Sequence, residues 1–162
     1  MNTNMEKALR ILKERNIPFR FQEHIPIYTI EEMLDLPMDG KEDVAKNLFL
    51  RDDKKRNYYL IVVREEKRVN LNELREKIQS RRLTFASEED LGAIMGLIRG
   101  SVTPLGVLND AQHIVQVYID RSFEHRIIGC HPNTNEATVW MSTDDLVELI
   151  ASRGNPVTFL DF

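Results

Sequence analysis

The strand-forming run Tyr58–Arg64 constrains the fold more than any other part of this sequence. Its residues, YYLIVVR, stay apolar or aromatic up to the final arginine, whereas a strand with one face in water alternates apolar and polar residues. The run therefore predicts a central strand that is covered on both faces. The preceding run KNLFLRD, which starts at Lys46, is joined to it by the charged turn DDKKRN, and the two runs predict a β-hairpin.

The rest of the chain alternates helical and strand patterns. Apolar spacing and capping residues predict helices at Met5–Asn16, Thr29–Leu36, Asn70–Ile78, Ser87–Gly96 and Ser142–Gly154. Further strands are predicted at Phe19–Glu23 and in the runs LTFA, IVQVYID, RIIGC, ATVWMS and PVTFL. With no repeat, low-complexity tract or linker, this order predicts one α+β domain over residues 1–162, with helices packed on a sheet of about six or seven strands.

Length and composition exclude several classes of protein. The 162 residues suit one domain of ordinary size, and no apolar run approaches the roughly 20 residues that a membrane span needs. The N-terminal segment is amphipathic and lacks the features of a signal peptide. A single cysteine, Cys130, excludes an internal disulfide framework. We therefore expect a cytoplasmic protein that does not associate with membranes.

The net charge of −4 argues against a protein that wraps nucleic acid through bulk electrostatics. Two short basic clusters, Lys54–Arg56 and Arg81–Arg82, have the charge to touch a few phosphates. Runs of this length are also common in solvated turns, so both interpretations stay open.

The segment Arg99–Asp110, RGSVTPLGVLND, combines Gly100, Pro104 and Gly106 with small hydroxyl residues. This composition favours irregular backbone. Glycine allows close approach of the main chain to a ligand, and successive N–H groups in such a turn can form a concave nest for an anion or oxyanion. On its composition alone, an ordinary connection between a helix and a strand is the more frequent outcome.

The sequence lacks the usual spacings of metal and nucleophile sites. It has no HxxxH, CxxC, G-x-S-x-G, P-loop or dinucleotide motif. Cys130 and its neighbour His131 would point to opposite faces of a strand, so we expect Cys130 to be a small buried residue. Lys46 can reach solvent or hold an anionic ligand. Asn47 and His131 suit either a turn or a binding site.

Three segments together resemble a known family. The runs KNLFLRD, RLTFASEEDL followed by GSVTPLGVLND, and HPNTNEATVWMSTDDL are similar, in order and spacing, to the YbaK-like family of aminoacyl-tRNA editing domains. The resemblance extends from HIPIYTIEE to the final strand and is most marked to free-standing prolyl-tRNA deacylases, relatives of the editing domain in bacterial prolyl-tRNA synthetase. The family's G-x-x-x-P loop corresponds to Gly100–Pro104, its lysine to Lys46 and its histidine to His131.

This resemblance implies both a fold and a reaction. The implied fold is a mixed, mostly antiparallel sheet with packed helices. The implied reaction is hydrolysis of the ester that joins a wrong amino acid, typically alanine, to tRNA(Pro), without metal or organic cofactor and with assistance from the 2′-hydroxyl of the tRNA. The implied partners are the acceptor end of aminoacyl-tRNA and prolyl-tRNA synthetase. The implied catalytic residues are Lys46, Gly100 and His131, and the implied substrate-binding residues are Asn47, Ser101, Val102, Thr103 and Pro104.

The chemistry of these residues agrees with that reaction. An aminoacyl ester is already activated, so an enzyme needs chiefly to position it and to stabilise the tetrahedral oxyanion. Backbone amides of Gly100–Pro104 can serve as an oxyanion hole, with main-chain N–H groups more important than the Ser101 and Thr103 hydroxyls. Lys46 can bind a phosphate or ribose, and Asn47 and His131 can hold the ribose, the aminoacyl group or water.

The sequence leaves alternatives open for the substrate and for the functional class. A small pocket would admit alanine and exclude proline by size. The loop departs from the usual family pattern by carrying Arg99 where a proline is common and Leu105 where an aromatic residue is common. Cysteinyl-tRNA(Pro) and seryl-tRNA are therefore alternative substrates. A non-catalytic module that binds a tRNA end or an aminoacyl group is the alternative from a different functional class.

Overall fold

The structure is a computed structural model, and it describes residues 3–162. The helices within this range are α1 (Thr3–Glu14), α2 (Ile30–Leu34), α3 (Leu71–Ile78), α4 (Glu88–Met95) and α5 (Thr143–Ser152). The strands are β1 (Phe19–Glu23), β2 (Ala45–Asp52), β3 (Tyr58–Arg64), β4 (Leu83–Phe85), β5 (Val115–Asp120), β6 (Ile127–Cys130), β7 (Ala137–Ser142) and β8 (Val157–Leu160). Short 3-10 helices occur at Lys41–Asp43, Pro104–Asn109 and Arg121–Phe123.

The strands form two sheets. A five-stranded sheet has the order β4-β2-β3-β5-β8, and a three-stranded sheet has the order β1-β7-β6. The β3–β5 and β5–β8 pairs are parallel, and the other neighbours are antiparallel. The predicted α+β class with a mostly antiparallel arrangement is confirmed. The division of the eight strands into two sheets differs from the single sheet of about six or seven strands that the sequence predicts. The reason is that strand propensity does not specify which strands pair.

The predicted central position of β3 is confirmed. Its residues Tyr58 to Val63 are all buried. Leu60 and Val62 pack into the main core between the sheets and α1, whereas Ile61 and Val63 pack on the opposite face with Leu74 of α3. Each face of the strand therefore contributes to a different hydrophobic cluster, which explains the uninterrupted apolar run.

The predicted helix caps are confirmed. Side chains of Thr29, Asn70, Ser87 and Ser142 each accept a hydrogen bond from a backbone N–H in the first turn of the helix that follows. At α2 the acidic partner differs slightly from a standard capping box. Glu32 Oε2 accepts from the N–H of Tyr28, 3.0 Å away, rather than from the cap residue itself. This bond fixes the backbone just before α2.

The segment Arg99–Asp110 is only partly irregular. Its second half, Pro104–Asn109, forms a 3-10 helix whose first five residues are buried. Gly106 is required there for packing, because a Cβ atom would lie 2.5 Å from Leu97 Cδ1. Gly100 has a φ of +87°, a left-handed conformation that favours glycine. The first half of the segment is therefore the part that presents backbone at a surface.

Within residues 3–162, no helix is both long and apolar enough to cross a membrane.

Candidate active site

A cleft of about 450 Å³ opens beside the first residues of β2. Strand β4 pairs with β2 only at Leu50–Asp52, so the cleft runs along the part of β2 that lies beyond this pairing. The segment around α2 and the loop before the 3-10 helix complete its walls. The lining residues are Ile27, Tyr28, Thr29, Met33, Val44, Ala45, Lys46, Asn47, Phe85, Arg99, Gly100, Val102 and His131.

The structure brings five of the predicted site residues together in this cleft and leaves three outside it. Lys46, Asn47, Gly100, Val102 and His131 line the cleft, although they come from three separate parts of the sequence. The residues that do not line it are Ser101, Thr103 and Pro104, all of which are buried. Along the loop, Gly100 and Val102 therefore line the cleft, whereas the residues after each of them are buried.

Lys46 is half-buried in the cleft wall. Its ammonium donates a hydrogen bond to the backbone carbonyl oxygen of Lys67, in the turn after β3. An ammonium group carries three donors, so two remain for a ligand. Among the lining residues, the charged side chains are Lys46 and Arg99. Both are positive, which favours an anionic group of a ligand in the cleft.

Asn47 presents an unpaired acceptor. Its Nδ2 donates a long, 3.5 Å hydrogen bond to the carbonyl oxygen of Ala45. Its Oδ1 is buried and has no hydrogen-bond partner among residues 3–162. An unsatisfied buried acceptor costs roughly 1–3 kcal/mol. A ligand that donates a hydrogen bond to Asn47 Oδ1 would recover part of that cost.

His131 follows β6, and its ring is fixed by a hydrogen bond. Nδ1 lies 3.1 Å from the carbonyl oxygen of Ala137, so Nδ1 carries the proton and Nε2 is left as an acceptor. Burial lowers the pKa of His131 below its usual value, and the nearby His24 ring, 6.4 Å away between centroids, lowers it further. The imidazole is therefore neutral at physiological pH.

The loop carries a small set of unused backbone donors. The N–H of Ser101 donates to the carbonyl oxygen of Ile98 at 3.1 Å, and Pro104 has no N–H. The N–H groups of Gly100, Val102 and Thr103 have no acceptor in the described part of the chain. Gly100 and Val102 also line the cleft. Two residues of the cleft lining thus each keep an unused backbone donor.

The Thr103 hydroxyl has a structural role instead. Its Oγ1 donates to the carbonyl oxygen of His131 at 2.6 Å and accepts from the N–H of Leu105 at 3.3 Å. The side chain of Thr103 is fully buried. It therefore connects the loop to the histidine without reaching the cleft.

Two aromatic side chains at the cleft are missing from the predicted site. Tyr28 is 66% exposed and Phe85 is 60% exposed, although both are large and largely apolar. Tyr28 lies against the loop, where a Cβ on Gly100 would be 2.9 Å from its Cδ1. Neither residue has a sequence signal of its own, because an aromatic residue next to a cap or at a strand end usually packs into the core.

Cys130 is a buried residue, as expected. Burial raises the pKa of its thiol to about 12, so the reactive thiolate does not form at physiological pH. For the part of the chain that the structure describes, no group of three or more His, Cys, Asp or Glu side chains is placed to hold a metal ion.

A family model for the aminoacyl-tRNA editing domain matches residues 24–149. This chain belongs to the aminoacyl-tRNA editing domain family. The match contains every residue of the cleft and agrees with the resemblance found in the sequence. It confirms the predicted class of enzyme, one that acts on the ester bond of aminoacyl-tRNA.

Similar proteins support the same family. The chain is 41% identical over 145 residues to the prolyl-tRNA editing protein ProX of Acetoanaerobium sticklandii, covering 89% of this chain and 88% of ProX. It is 34% identical over 154 residues to the prolyl-tRNA synthetase associated domain-containing protein 1 of Danio rerio, covering 93% and 83%. A crystal structure of a candidate trans-editing enzyme for prolyl-tRNA synthetase superposes with a TM-score of 0.75 at 19% identity, covering 100% and 99%. That last similarity shows the fold.

Proposed function

We propose that this protein is a free-standing deacylase that acts in trans on mischarged tRNA(Pro), with alanyl-tRNA(Pro) as its main substrate. All 162 residues form one editing domain in this proposal, and the reaction takes place in the cytoplasm. The name of the ProX relative, a prolyl-tRNA editing protein, supports tRNA(Pro) as the carrier. The observation that carries the proposal is the pair of unused backbone N–H groups at Gly100 and Val102, two residues that line a cleft together with Lys46 and His131.

These donors suit the oxyanion of ester hydrolysis. Water attacks the carbonyl carbon of the ester, and the negative charge moves to the carbonyl oxygen. The Gly100 and Val102 N–H groups stabilise that charge. The bond from the carbonyl carbon to the ribose oxygen then breaks, the proton from water passes to the ribose oxygen, and free amino acid and tRNA are the products. Fixed backbone donors stabilise such an intermediate because they need no reorganisation during the reaction.

The side chains position the substrate around these donors. Lys46 and Arg99 attract the phosphate of the terminal nucleotide. Asn47 Oδ1 accepts a hydrogen bond from the ribose or the amino group of the substrate. The neutral Nε2 of His131 accepts one from the attacking water or from the 2′-hydroxyl of the ribose. No strong general base is needed, because the ester is already activated.

The cleft has apolar lining residues for the side chain of the amino acid. Ile27, Met33 and Val44 line the cleft and are buried in one hydrophobic cluster with Trp140. In this proposal these three residues bound the space that takes the side chain of the amino acid. A pocket that fits alanine excludes proline by overlap, whereas a looser pocket would distinguish the two by only about 1–3 kcal/mol.

Deacylation of a panel of substrates tests this proposal. Alanyl-, cysteinyl-, seryl- and prolyl-tRNA(Pro) are incubated with the wild type, with Lys46→Ala and with Lys13→Ala, a matched control on the exposed face of α1. We expect alanyl-tRNA(Pro) to be lost fastest, Lys46→Ala to slow its loss and Lys13→Ala to leave it unchanged. If no ester is hydrolysed faster than it decays in buffer, the protein is instead a binding module for a tRNA end.

Prolyl-tRNA synthetase is the protein partner in this proposal, because it produces the mischarged substrate. Pull-down of the synthetase with the purified chain, in the presence and absence of tRNA(Pro), tests that association. Retention in neither condition would contradict it.

A further inference from the structure

A second cavity, of about 350 Å³, is lined by Ser101, the chain neighbour of the cleft residue Gly100. We call it the polar cavity. It is lined by Asn4, Pro26, Tyr28, Gly96, Leu97, Ile98, Ser101, Asn133, Thr134, Asn135 and Glu136. Tyr28 lines both spaces, so the cleft and the polar cavity meet at this side chain.

Three buried polar side chains in this cavity each have one atom without a hydrogen-bond partner, although Asn133 Nδ2 donates to Asn4 Oδ1 at 3.2 Å. Ser101 is 1% exposed, Asn133 5% and Asn135 7%. Ser101 Oγ, Asn133 Oδ1 and Asn135 Nδ2 have no hydrogen-bond partner among residues 3–162. Buried polar atoms are nearly always hydrogen-bonded in folded proteins. Three unpaired atoms around one cavity therefore indicate that ordered water or a bound group supplies their hydrogen bonds.

The charge of the cavity identifies the kind of group. Ser101, Asn133 and Asn135 are neutral, and they offer a hydroxyl, an acceptor and a donor respectively. The charged side chain in the lining is Glu136, which is negative and exposed. A phosphate is therefore disfavoured, and a neutral group with both donors and acceptors on one edge is favoured. A nucleobase has this chemistry.

Apolar surface at the mouth of the cavity fits the flat face of a base. Ile98 is 72% exposed, and the Tyr28 ring is the shared wall between the cavity and the cleft. Unpaired bases of RNA are commonly stacked on aromatic side chains while their edges are read by hydrogen bonds. The polar cavity also lies close to the cleft, because Asn135 Nδ2 would be only 3.7 Å from a Cβ on Gly100, a residue of the cleft wall.

We infer that the polar cavity binds a nucleobase from the unpaired 3′ end of the tRNA, read by Asn135, Ser101 and Asn133, while the ester lies in the cleft. This inference rests on the proposed function, since it names the part of that substrate that the second cavity takes. It assigns to Ser101 a contact with the base rather than with the ester.

A double-mutant cycle tests this contact. The probe is an uncharged, fluorescently labelled acceptor-stem microhelix, compared with versions in which each unpaired 3′ nucleotide in turn is abasic. Binding to the wild type, Asn135→Asp, Ser101→Ala and the exposed control Asn72→Ala is measured by fluorescence anisotropy. Ser101→Ala removes a hydroxyl that bonds to nothing in the described residues, so its fold should be preserved, and thermal unfolding verifies this for each variant.

We expect one abasic replacement to weaken binding to the wild type and to Asn72→Ala by roughly 3- to 10-fold, the effect of one or two neutral hydrogen bonds. The same replacement should have little effect on Asn135→Asp and a reduced effect on Ser101→Ala, because the contact is already lost. Equal losses in all four proteins, or no binding of any microhelix, would overturn the inference. Because the probe carries no ester, absence of deacylation contradicts the proposed function without altering this result.

Discussion

The hydroxyl of Thr103 donates a 2.6 Å hydrogen bond to the backbone carbonyl oxygen of His131. This bond joins the loop that carries the backbone donors to the strand end that carries the histidine. Thr103 is buried and His131 is half-buried, so the bond is protected from water. The relative position of the two halves of the site therefore depends on a residue that does not itself contact the cleft.

Thr103→Val should misplace the loop relative to His131. The substitution keeps the shape of the side chain but removes its hydroxyl, so the carbonyl oxygen of His131 loses this hydrogen bond. We expect a loss of roughly 1–3 kcal/mol in the free energy of unfolding. We also expect a fall in kcat for alanyl-tRNA(Pro) that exceeds any change in KM, because a positioning residue acts on the reacting geometry. Thr103→Ser should restore kcat, and failure of this rescue would contradict the positioning role.

Gly100→Ala should impair turnover and also destabilise the fold slightly. Gly100 has a φ of +87°, and an added Cβ would lie 2.9 Å from Tyr28 Cδ1. An L-residue in this conformation costs roughly 1–2 kcal/mol, and Tyr28 must move away. Urea unfolding measures the first effect and single-turnover deacylation the second. Wild-type activity in a folded Gly100→Ala protein would show that the loop backbone does not act on the ester.

The stability of the protein should fall on acidification through His131. Burial lowers the pKa of this imidazole below its usual 6.5. The unfolded chain binds a proton at about pH 6.5, whereas the folded chain does so only at lower pH. The free energy of unfolding is therefore at its full value above about pH 6.5. It decreases between pH 6.5 and the folded pKa, by at most about 1.4 kcal/mol per pH unit, and levels off below the folded pKa.

Urea unfolding at pH 7.5 and pH 5.5 measures this effect. We expect the wild type to lose more free energy of unfolding between the two values than His131→Asn, in which an amide replaces the titrating ring. An equal loss in the two proteins would show that His131 titrates normally in the folded state.

The basic clusters should contribute to tRNA binding. Arg81 forms an ion pair with Asp53, 2.6 Å apart, which brings the Arg81–Arg82 cluster next to Lys54–Arg56. Strand β4 begins directly after Arg82 and ends at Phe85, which lines the cleft. If Lys54 and Arg82 each contact a phosphate, replacing both with glutamine should lower the slope of log affinity against log salt by roughly 0.7–0.9 per contact. Arg10→Gln on α1 is the control, and an unchanged slope in the double variant would identify the clusters as solvated turns.

Much of the fold follows from local patterns in the sequence. The caps at Asn70, Ser87 and Ser142 and the covered strand β3 are specified by residues close together in the chain, and the structure has them as predicted. The partners of β6 and β7 are not specified in this way. They pair in a separate sheet with β1, because strand pairing depends on contacts between residues that are distant in sequence.

The site residues also divide into those that the sequence indicates and those whose position depends on distant contacts. The family resemblance predicts Lys46, Gly100 and His131 as site residues, and the structure places all three in one cleft. The direction of each group along Gly100–Pro104 depends on how the loop packs against His131 and Leu97, which composition does not determine. For that reason the buried orientations of Ser101 and Thr103, and the cleft positions of Tyr28 and Phe85, emerged only from the structure.

In the proposed mechanism, backbone N–H groups of the loop stabilise the oxyanion. Replacing Val102 with its α-hydroxy acid analogue, which removes one N–H and retains the side chain, tests this role most directly. Single-turnover deacylation of alanyl-tRNA(Pro) should then slow by roughly 10²- to 10³-fold, the usual effect of losing one oxyanion donor, with thermal unfolding nearly unchanged. Hydrolysis at the wild-type rate by this protein would contradict the claim.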